Sequence, residues 1–425
     1  ASGSLVNKTI TFNGTSTQNM TNNSSTPIDY STLVINNSNG VNVQSGTFRV
    51  SNSIQVPNGP LTNVGGAFIF RSTSTNTAVA LNTGGGFSGH FIIERYVSQR
   101  NASWGDLSSP VSNTTLGDWD SDPSGTINEI YMSSVNGLNG SAGGWNSVYY
   151  YDENTQAYVA ITDTNYNLVA GRGVELWLED SNAVWEAKTF DTRGTPNYGN
   201  VAIAVANSWN LVGNPYQSWI NWSGLSKPTL NSTYYIWNTN NGSYDAATTG
   251  IIPPNQGFWV ESVGTGTLTF SESSKSGSGS STFYRTNGEL SEEPYSFTEV
   301  ELKVKSQINA FNQTLKLRMN NLASINHDYH DGTLLPSRVL EAPSIYTYSA
   351  NNNKKLMINS FNYQEEVVLP IAIEVGISGK YIIEAINFEN FANDYVVMEL
   401  SDTKTGKVYD LTVEKEVTVA IDEFE

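Results

Sequence analysis

The run Asp118-Trp-Asp120-Ser-Asp122-Pro-Ser-Gly-Thr-Ile-Asn-Glu129 concentrates hard oxygen donors. Asp118, Asp120, Asp122 and Glu129 fall at positions 1, 3, 5 and 12 of the run, the spacing of a calcium loop. Pro123 stands where the EF-hand pattern needs a glycine for its sharp turn, and no helical pattern flanks the run. Two readings stay open: a β-type calcium loop, with calcium as the cofactor, or an exposed acidic turn leading into a strand at Ile127.

Aromatic residues supply a second kind of chemistry. All 10 tryptophans lie between Trp104 and Trp259. Indole and phenol faces stack on the apolar faces of sugar rings while nearby amides and carboxylates take the hydroxyls. The candidates for glycan binding are those set among polar residues: Trp119, Trp145, Tyr216, Trp219 and Trp222. Core packing is the alternative for each. Trp177 lies between Leu176 and Leu178 and is assigned no face; Trp209 and Trp259 are expected to be structural.

A second acidic cluster combines Asp328, Asp331 and Glu341 with His327 and His330. Imidazoles and carboxylates together suit a transition metal. The preferred reading is a solvated loop, because these residues share one polar stretch and the third histidine, His90, is far away in sequence. Hydrolase signatures are missing: there is no G-x-S-x-G, H-E-x-x-H or P-loop. A glycosidase needs only two carboxylates, so a polysaccharide hydrolase remains the lesser alternative, but no residue is singled out as catalytic and a non-enzyme is expected.

The elements that must position these residues read as β throughout. In the first hundred residues short apolar doublets recur: Leu33/Ile35, Val41/Val43, Phe48/Val50, Ile54/Val56, Phe68/Phe70. Spacing within a doublet is that of a strand with one buried face. The intervals between doublets are filled by Asn, Ser and Gly, and coils of roughly 20 residues with three short strands each fit a β-solenoid. Up to Arg100 the only carboxylates are Asp29 and Glu94, so the solenoid surface is expected to be solvated by stacked Asn, Ser and Thr. Phe91-Ile-Ile-Glu-Arg-Tyr-Val97 is expected to be its last coil and the entry to the next domain.

The expected fold class is all-β: a β-solenoid-like stalk over 1–95, a Trp/Tyr-rich β-sandwich-like domain over 96–270, a Ser/Gly linker over 271–282, and a C-terminal Ig-like β-sandwich over 283–425. The last sheet reads as one strand short, as though truncated. The opening Ala-Ser-Gly-Ser reads as a mature end left after signal cleavage or as a cloning scar.

Composition narrows the partners. A net charge of −18 argues against nucleic acid and against an anionic membrane surface, and no run is long enough to insert into a membrane. Divalent cations, glycans and other cell-surface ligands remain. The absence of cysteine removes disulfides and thiolate sites. Together with the Asn/Ser/Thr-rich composition, it favours an exported bacterial protein.

Five segments carry a resemblance: Glu94-Arg-Tyr-Val97, Trp104-Gly-Asp-Leu-Ser-Ser-Pro-Val111, Trp209-Asn-Leu-Val-Gly-Asn-Pro-Tyr216, Ile252-Pro-Pro-Asn-Gln-Gly-Phe-Trp-Val260 and Phe283-Tyr-Arg285. In these the chain resembles a recurrent type of Bacteroidota cell-surface protein exported by the type IX secretion system. The resemblance implies an architecture, an export machinery as partner and a place on or outside the surface of a Gram-negative cell. It does not imply an activity. Such proteins usually end in a small sorting domain, and the last region here looks like the domain that precedes one. The expectation is an adhesin or a structural subunit of an extracellular layer or fibre, capable of self-association through open strand edges. A carbohydrate-binding protein is the alternative.

Overall fold

The structure is a computed structural model that describes residues 5–119, 130, 132, 146–178, 184–278, 298–364, 366–388 and 397–422. It divides into two compact units: Ala1–Thr229 with Gly250–Ser291, and Leu230–Thr249 with Glu292–Glu425. The described residues are all-β, with only short 3-10 turns such as Leu116–Trp119 and Glu272–Ser274 besides strands. No described helix is long and apolar enough to cross a membrane.

The first unit opens with ten strands: β1 (Leu5–Phe12), β2 (Gln18–Thr21), β3 (Ile28–Asn36), β4 (Val41–Ser45), β5 (Thr47–Asn58), β6 (Leu61–Asn63), β7 (Ala67–Phe70), β8 (Val79–Leu81), β9 (Phe87–Ser88) and β10 (Phe91–Val97). They stack in parallel. Ile28 lies beside Phe48 and Phe48 beside Phe68, a step of 20 residues from 28 to 48 to 68. A second ladder stacks Val41 beside Leu61 and Leu61 beside Phe87. A third stacks Leu33 beside Ile54 and Ile54 beside Ala80. Each coil therefore contributes three short strands. The apolar doublets fall on the inside, where Leu33, Ile35, Val41, Val43, Phe48, Ile54 and Phe68 form one continuous core. The outward positions stack Asn19, Asn42, Thr62 and Ser88 in register, which accounts for a surface with little charge.

Corners explain the asparagines and glycines. Asn37 is buried, and its Nδ2 donates to Ser16 O at 2.7 Å, satisfying a carbonyl that the sharp bend leaves unpaired. Gly59 has a φ of +76°, and a Cβ there would collide with Asn37 O of the coil before. At the far end β10 keeps β7 on one side in parallel and takes β18 (Lys188–Pro196) on the other in antiparallel register, Ile92 beside Arg193 and Glu94 beside Asp191. The antiparallel strand ends the parallel stack, as expected for the Phe91–Val97 segment.

The rest of the first unit numbers β11 (Arg100–Asn101), β12 (Ser103–Ser108), β13 (Val111–Ser112), β14 (Val148–Asp152), β15 (Ala157–Ala160), β16 (Gly173–Leu178) and β17 (Val184–Trp185) before β18. β19 (Val201–Val205), β20 (Ser208–Gly213) and β21 (Trp219–Asn221) follow it. An antiparallel sheet runs β12-β16-β14-β15. One of its faces buries Leu107, Val148, Val174, Leu176 and Leu178 in a core with Trp119 and Phe190. The chain then leaves the first unit for the hairpin β22 (Leu230–Asn238) and β23 (Ser243–Ala247), and returns as β24 (Ile251–Ile252), β25 (Gly257–Ser262), β26 (Gly266–Phe270) and β27 (Lys275–Ser276). Within the first unit β20 pairs β25, β19 pairs β26, and β21 pairs both β24 and β27.

This departs from the expected linker over 271–282. Residues 271–278 are a built part of the first unit: a 3-10 turn at Glu272–Ser274, then β27 paired with β21. Low apolar content misleads here because the anchoring is polar, through the Glu272 and Lys275 side chains. Residues 279–282 lie outside the described residues.

The second unit holds β28 (Thr298–Ser306), β29 (Asn312–Met319), β30 (Gly332–Thr333), β31 (Ser344–Tyr348), β32 (Lys355–Phe361), β33 (Ile371–Glu374), β34 (Gly379–Ile386), β35 (Glu399–Ser401), β36 (Val408–Asp410) and β37 (Glu416–Ile421). Its main sheet runs β33-β31-β32-β29-β28-β34-β37, with β30 beside β32. All these pairs are antiparallel except β29 with β32. Val300, Leu302, Val304, Leu315, Ile345 and Tyr381 form its core. The hairpin 230–249, placed by sequence with the middle domain, groups with this unit. Ser243 Oγ donates to Asn312 O at 2.8 Å, Thr233 Oγ1 to Asp331 O at 3.1 Å, and Arg338 stacks over the Trp237 and Tyr244 rings.

Candidate functional site

Asp118 lies in the 3-10 turn Leu116–Trp119, where its Oδ2 accepts from Thr114 Oγ1 at 2.6 Å and Thr115 N at 3.0 Å. The carboxylate caps one backbone donor, Thr115 N, at the entry to that turn. Asp120, Asp122 and Glu129 lie outside the described residues, so the loop that would complete a calcium site is not seen. Among the described residues no group of three or more His, Cys, Asp or Glu side chains is placed to hold a metal ion.

The His/Asp loop is not the solvated loop expected. Asp331 is 1% exposed, and its carboxylate accepts from Ser360 N at 2.8 Å and Asp328 N at 2.9 Å. Asp328 in turn accepts from Ser324 N and His330 N. Burial pushes the Asp331 carboxyl up to about 7 against the pull of those two backbone donors, and the neighbouring Asp328 charge adds to the rise. Glu341 is exposed on another loop. The cluster locks the 324–331 loop to β32 and to the 230–249 hairpin.

Three of the five glycan candidates are core side chains. Trp119 is fully buried, donates from Nε1 to Thr192 Oγ1 at 2.9 Å and packs edge-on against Phe190. Trp222 is fully buried against Phe258, with Lys227 Nζ 4.7 Å from its ring centre. Tyr216 is fully buried, and its hydroxyl donates to Gly199 O at 2.6 Å and lies 2.8 Å from Phe270 O. None offers a face on which a sugar could stack. Their chain neighbours are polar, but strands distant in sequence cover them. Trp219 is half-buried, with its Nε1 enclosed and unbonded. Trp145 lies outside the described residues.

Tyr216 marks a buried fastener. Lys275 Nζ sits 4.4 Å from the Tyr216 ring centre and 2.8 Å from Glu272 Oε2. Glu272 also accepts from Thr83 N at 2.8 Å and Gly199 N at 3.0 Å. Burial opposes the Glu272 charge, yet Lys275 and the Thr83 donors outweigh it and hold the carboxyl below its usual range. Burial lowers the Lys275 ammonium in spite of Glu272, so desolvation costs the lysine more than its partner returns. The node ties Thr83 of the solenoid to the 271–276 segment.

Three of the resembling segments also meet, at a second buried polar node. Ser108 Oγ donates to Asn214 O at 2.9 Å, and Ser108 N donates to Asn255 O at 2.9 Å. Asn214 Nδ2 donates to Pro253 O at 2.9 Å, and Gln256 Nε2 to Asp106 O at 3.2 Å. Ser108, Asn214, Asn255 and Gln256 are all buried. These motifs hold sheets together, which is why their pattern speaks of architecture.

What the fold does assemble is an aromatic strip. On the sheet β12-β16-β14-β15 the face opposite the Leu176/Leu178 core carries Trp104 directly across from Trp177, and Tyr151 across from Tyr158. Tyr149 shares that face by pairing with Glu175. Ring centres run Trp177–Trp104 5.5 Å, Trp104–Tyr149 5.7 Å, Tyr149–Tyr158 6.2 Å, Tyr158–Tyr151 5.4 Å and Tyr151–Trp259 4.7 Å, every contact edge-to-face. Trp259 is buried, Trp104, Trp177 and Tyr149 are half-buried, and Tyr158, 6.0 Å from Trp259, is 43% exposed on the edge strand β15. On the same face Asp106 and Glu175 stand directly opposite each other, both buried. A carboxylate pair closed off from solvent does not meet a substrate or a hydrolytic water. The alternation Leu176-Trp177-Leu178 held the signal for Trp177: if the leucines face the core, the indole faces away.

Residues 226–417, less than half of the chain, match a family described only as a Domain of unknown function (DUF8693). No curated protein and no solved structure matches the chain. The matched span takes in the 230–249 hairpin and reaches β37.

Proposed function

We propose that this chain is a non-enzymatic, exported cell-surface protein, an adhesin or a structural subunit of an extracellular layer or fibre. The carrying observation is that solenoid and middle region form one compact unit. Parallel coils pass through β10 into β18, and the Glu272–Lys275 node fastens the far side. Such a unit serves as a stiff spacer that presents a contact surface, and low surface charge over the solenoid suits close packing with neutral partners. Export by the type IX machinery of a Gram-negative bacterium belongs to the same proposal through the resembling segments. So does calcium at Asp118, Asp120, Asp122 and Glu129.

Self-association has fewer routes than open solenoid ends offer, because β18 covers the β10 end. Among the described residues the strands that terminate the two largest sheets are β1 and β13 in the first unit and β33 and β37 in the second. Light scattering on a sizing column, with negative-stain images of the same peak, tests the reading. Ordered oligomers or filaments support the structural subunit, and a clean monomer supports the adhesin. Turnover of polysaccharide or peptide substrates by the purified chain would sink both.

A further inference from the structure

We propose that the partly exposed rings of Trp104, Trp177, Tyr149 and Tyr158 form a stacking platform for a neutral polysaccharide. The proposal rests on the contact-protein reading above and names its partner. Two features carry it.

The first is geometric. Four rings from four adjacent strands share one sheet face, with neighbouring centres 5.5 to 6.2 Å apart along Trp177–Trp104–Tyr149–Tyr158. Edge-to-face packing fixes each ring by its neighbours, so little side-chain freedom is lost when a ligand arrives. Buried Trp259 packs against Tyr151 at 4.7 Å and Tyr158 at 6.0 Å and anchors that end of the strip, where Tyr158 is the most exposed ring. A polymer can therefore lie across the strands over the partly exposed rings from Trp177 to Tyr158.

The second is charge. Aromatic strips stack nucleobases as readily as sugars, but nucleic acid also needs a basic track for its phosphates. This chain carries −18 overall, and the Asp106–Glu175 pair on the same face is buried and adds nothing to the contact. A polyanion, whether nucleic acid or an acidic polysaccharide, is repelled. A neutral polysaccharide presents apolar C–H faces to the rings at no electrostatic cost.

The test is native affinity electrophoresis of the full chain in gels containing hydroxyethylcellulose, laminarin, xylan or galactomannan, with alginate as the polyanion. Retardation in at least one neutral gel and none in alginate is expected. Tyr158→Ala and Trp104→Ala should each weaken that retardation at least about tenfold. Trp222→Phe, at a buried ring outside the strip, should leave it unchanged. Urea melts of each variant check folding, and Tyr158, the most exposed ring, keeps the test valid if Trp104→Ala unfolds. No retardation in any neutral gel, retardation in alginate, or retardation that survives Tyr158→Ala overturns the proposal. Loss of a dimer peak by Tyr158→Ala without any glycan effect also overturns it, and makes the strip a contact between copies. Assembly is read separately on the sizing column, so the platform can fail while the contact-protein reading stands.

Discussion

Lys275 has a side chain only 3% exposed and its charge is compensated by Glu272 and the Tyr216 ring. Removing one member of such a pair strands the other charge in the interior. Glu272→Gln is therefore expected to cost about 3 kcal/mol in urea unfolding of the first unit. Lys275→Met combined with Glu272→Gln should recover much of that loss, because a neutral pair strands no charge. Asp331 makes a pH prediction. Its folded pKa, pushed up to about 7, lies above the ordinary value of 3.8, so folding favours the protonated form. The contribution is complete below the unfolded value and is lost as pH rises through the folded one. Wild-type stability relative to Asp331→Asn should thus fall between pH 4 and 7 and stay level above it, read from urea midpoints across that range. A gap that widens with rising pH would contradict the assignment.

At the scale of elements, solenoid corners and sheet faces obey different rules. Gly59 has a positive φ and no room for a Cβ, whereas Gly199 has a φ of +66° with open space around it. Gly59→Ala should cost about 2 kcal/mol or more, since the adjoining coil must move. Gly199→Ala should cost only about 1 kcal/mol of backbone strain. Comparing the two melts separates collision from conformation. The solenoid strands were legible in sequence because period two and a step near 20 residues leave a metre that needs no knowledge of distant neighbours. The aromatic strip was not. Tyr149, Tyr151 and Tyr158 alternate correctly, but parity alone does not say which side of a strand is covered. Trp119, Tyr216 and Trp222 fail for the converse reason: their polar neighbours in the chain say nothing of Phe190, Phe270 and Phe258 in space.

At the scale of the molecule, the chain crosses between units at residues 230–249 and returns there after 291. The hairpin's bonds to Asn312, Asp331 and Tyr329, with Arg338 across Trp237, make it an integral part of the second unit. Native-state hydrogen exchange in rising denaturant should open the 234–247 amides with the same free energy as those of β28, β29 and β32. Exchange of the hairpin well before those strands would show it to be a peripheral addition.

By itself the sequence determined the all-β class, the solenoid and its terminating strand at Phe91–Val97. Each follows from local periodicity and turn chemistry, which act between residues near in the chain. Tertiary structure decided which aromatics are core, that Ser271–Gly277 is a fastener, that Asp331 is buried, and that 230–249 folds with the second unit. Those outcomes depend on partners tens to hundreds of residues away, such as Thr83 for Glu272 and Asn312 for Ser243. Burial is a property of the assembled sheets, and no stretch of sequence carries it alone.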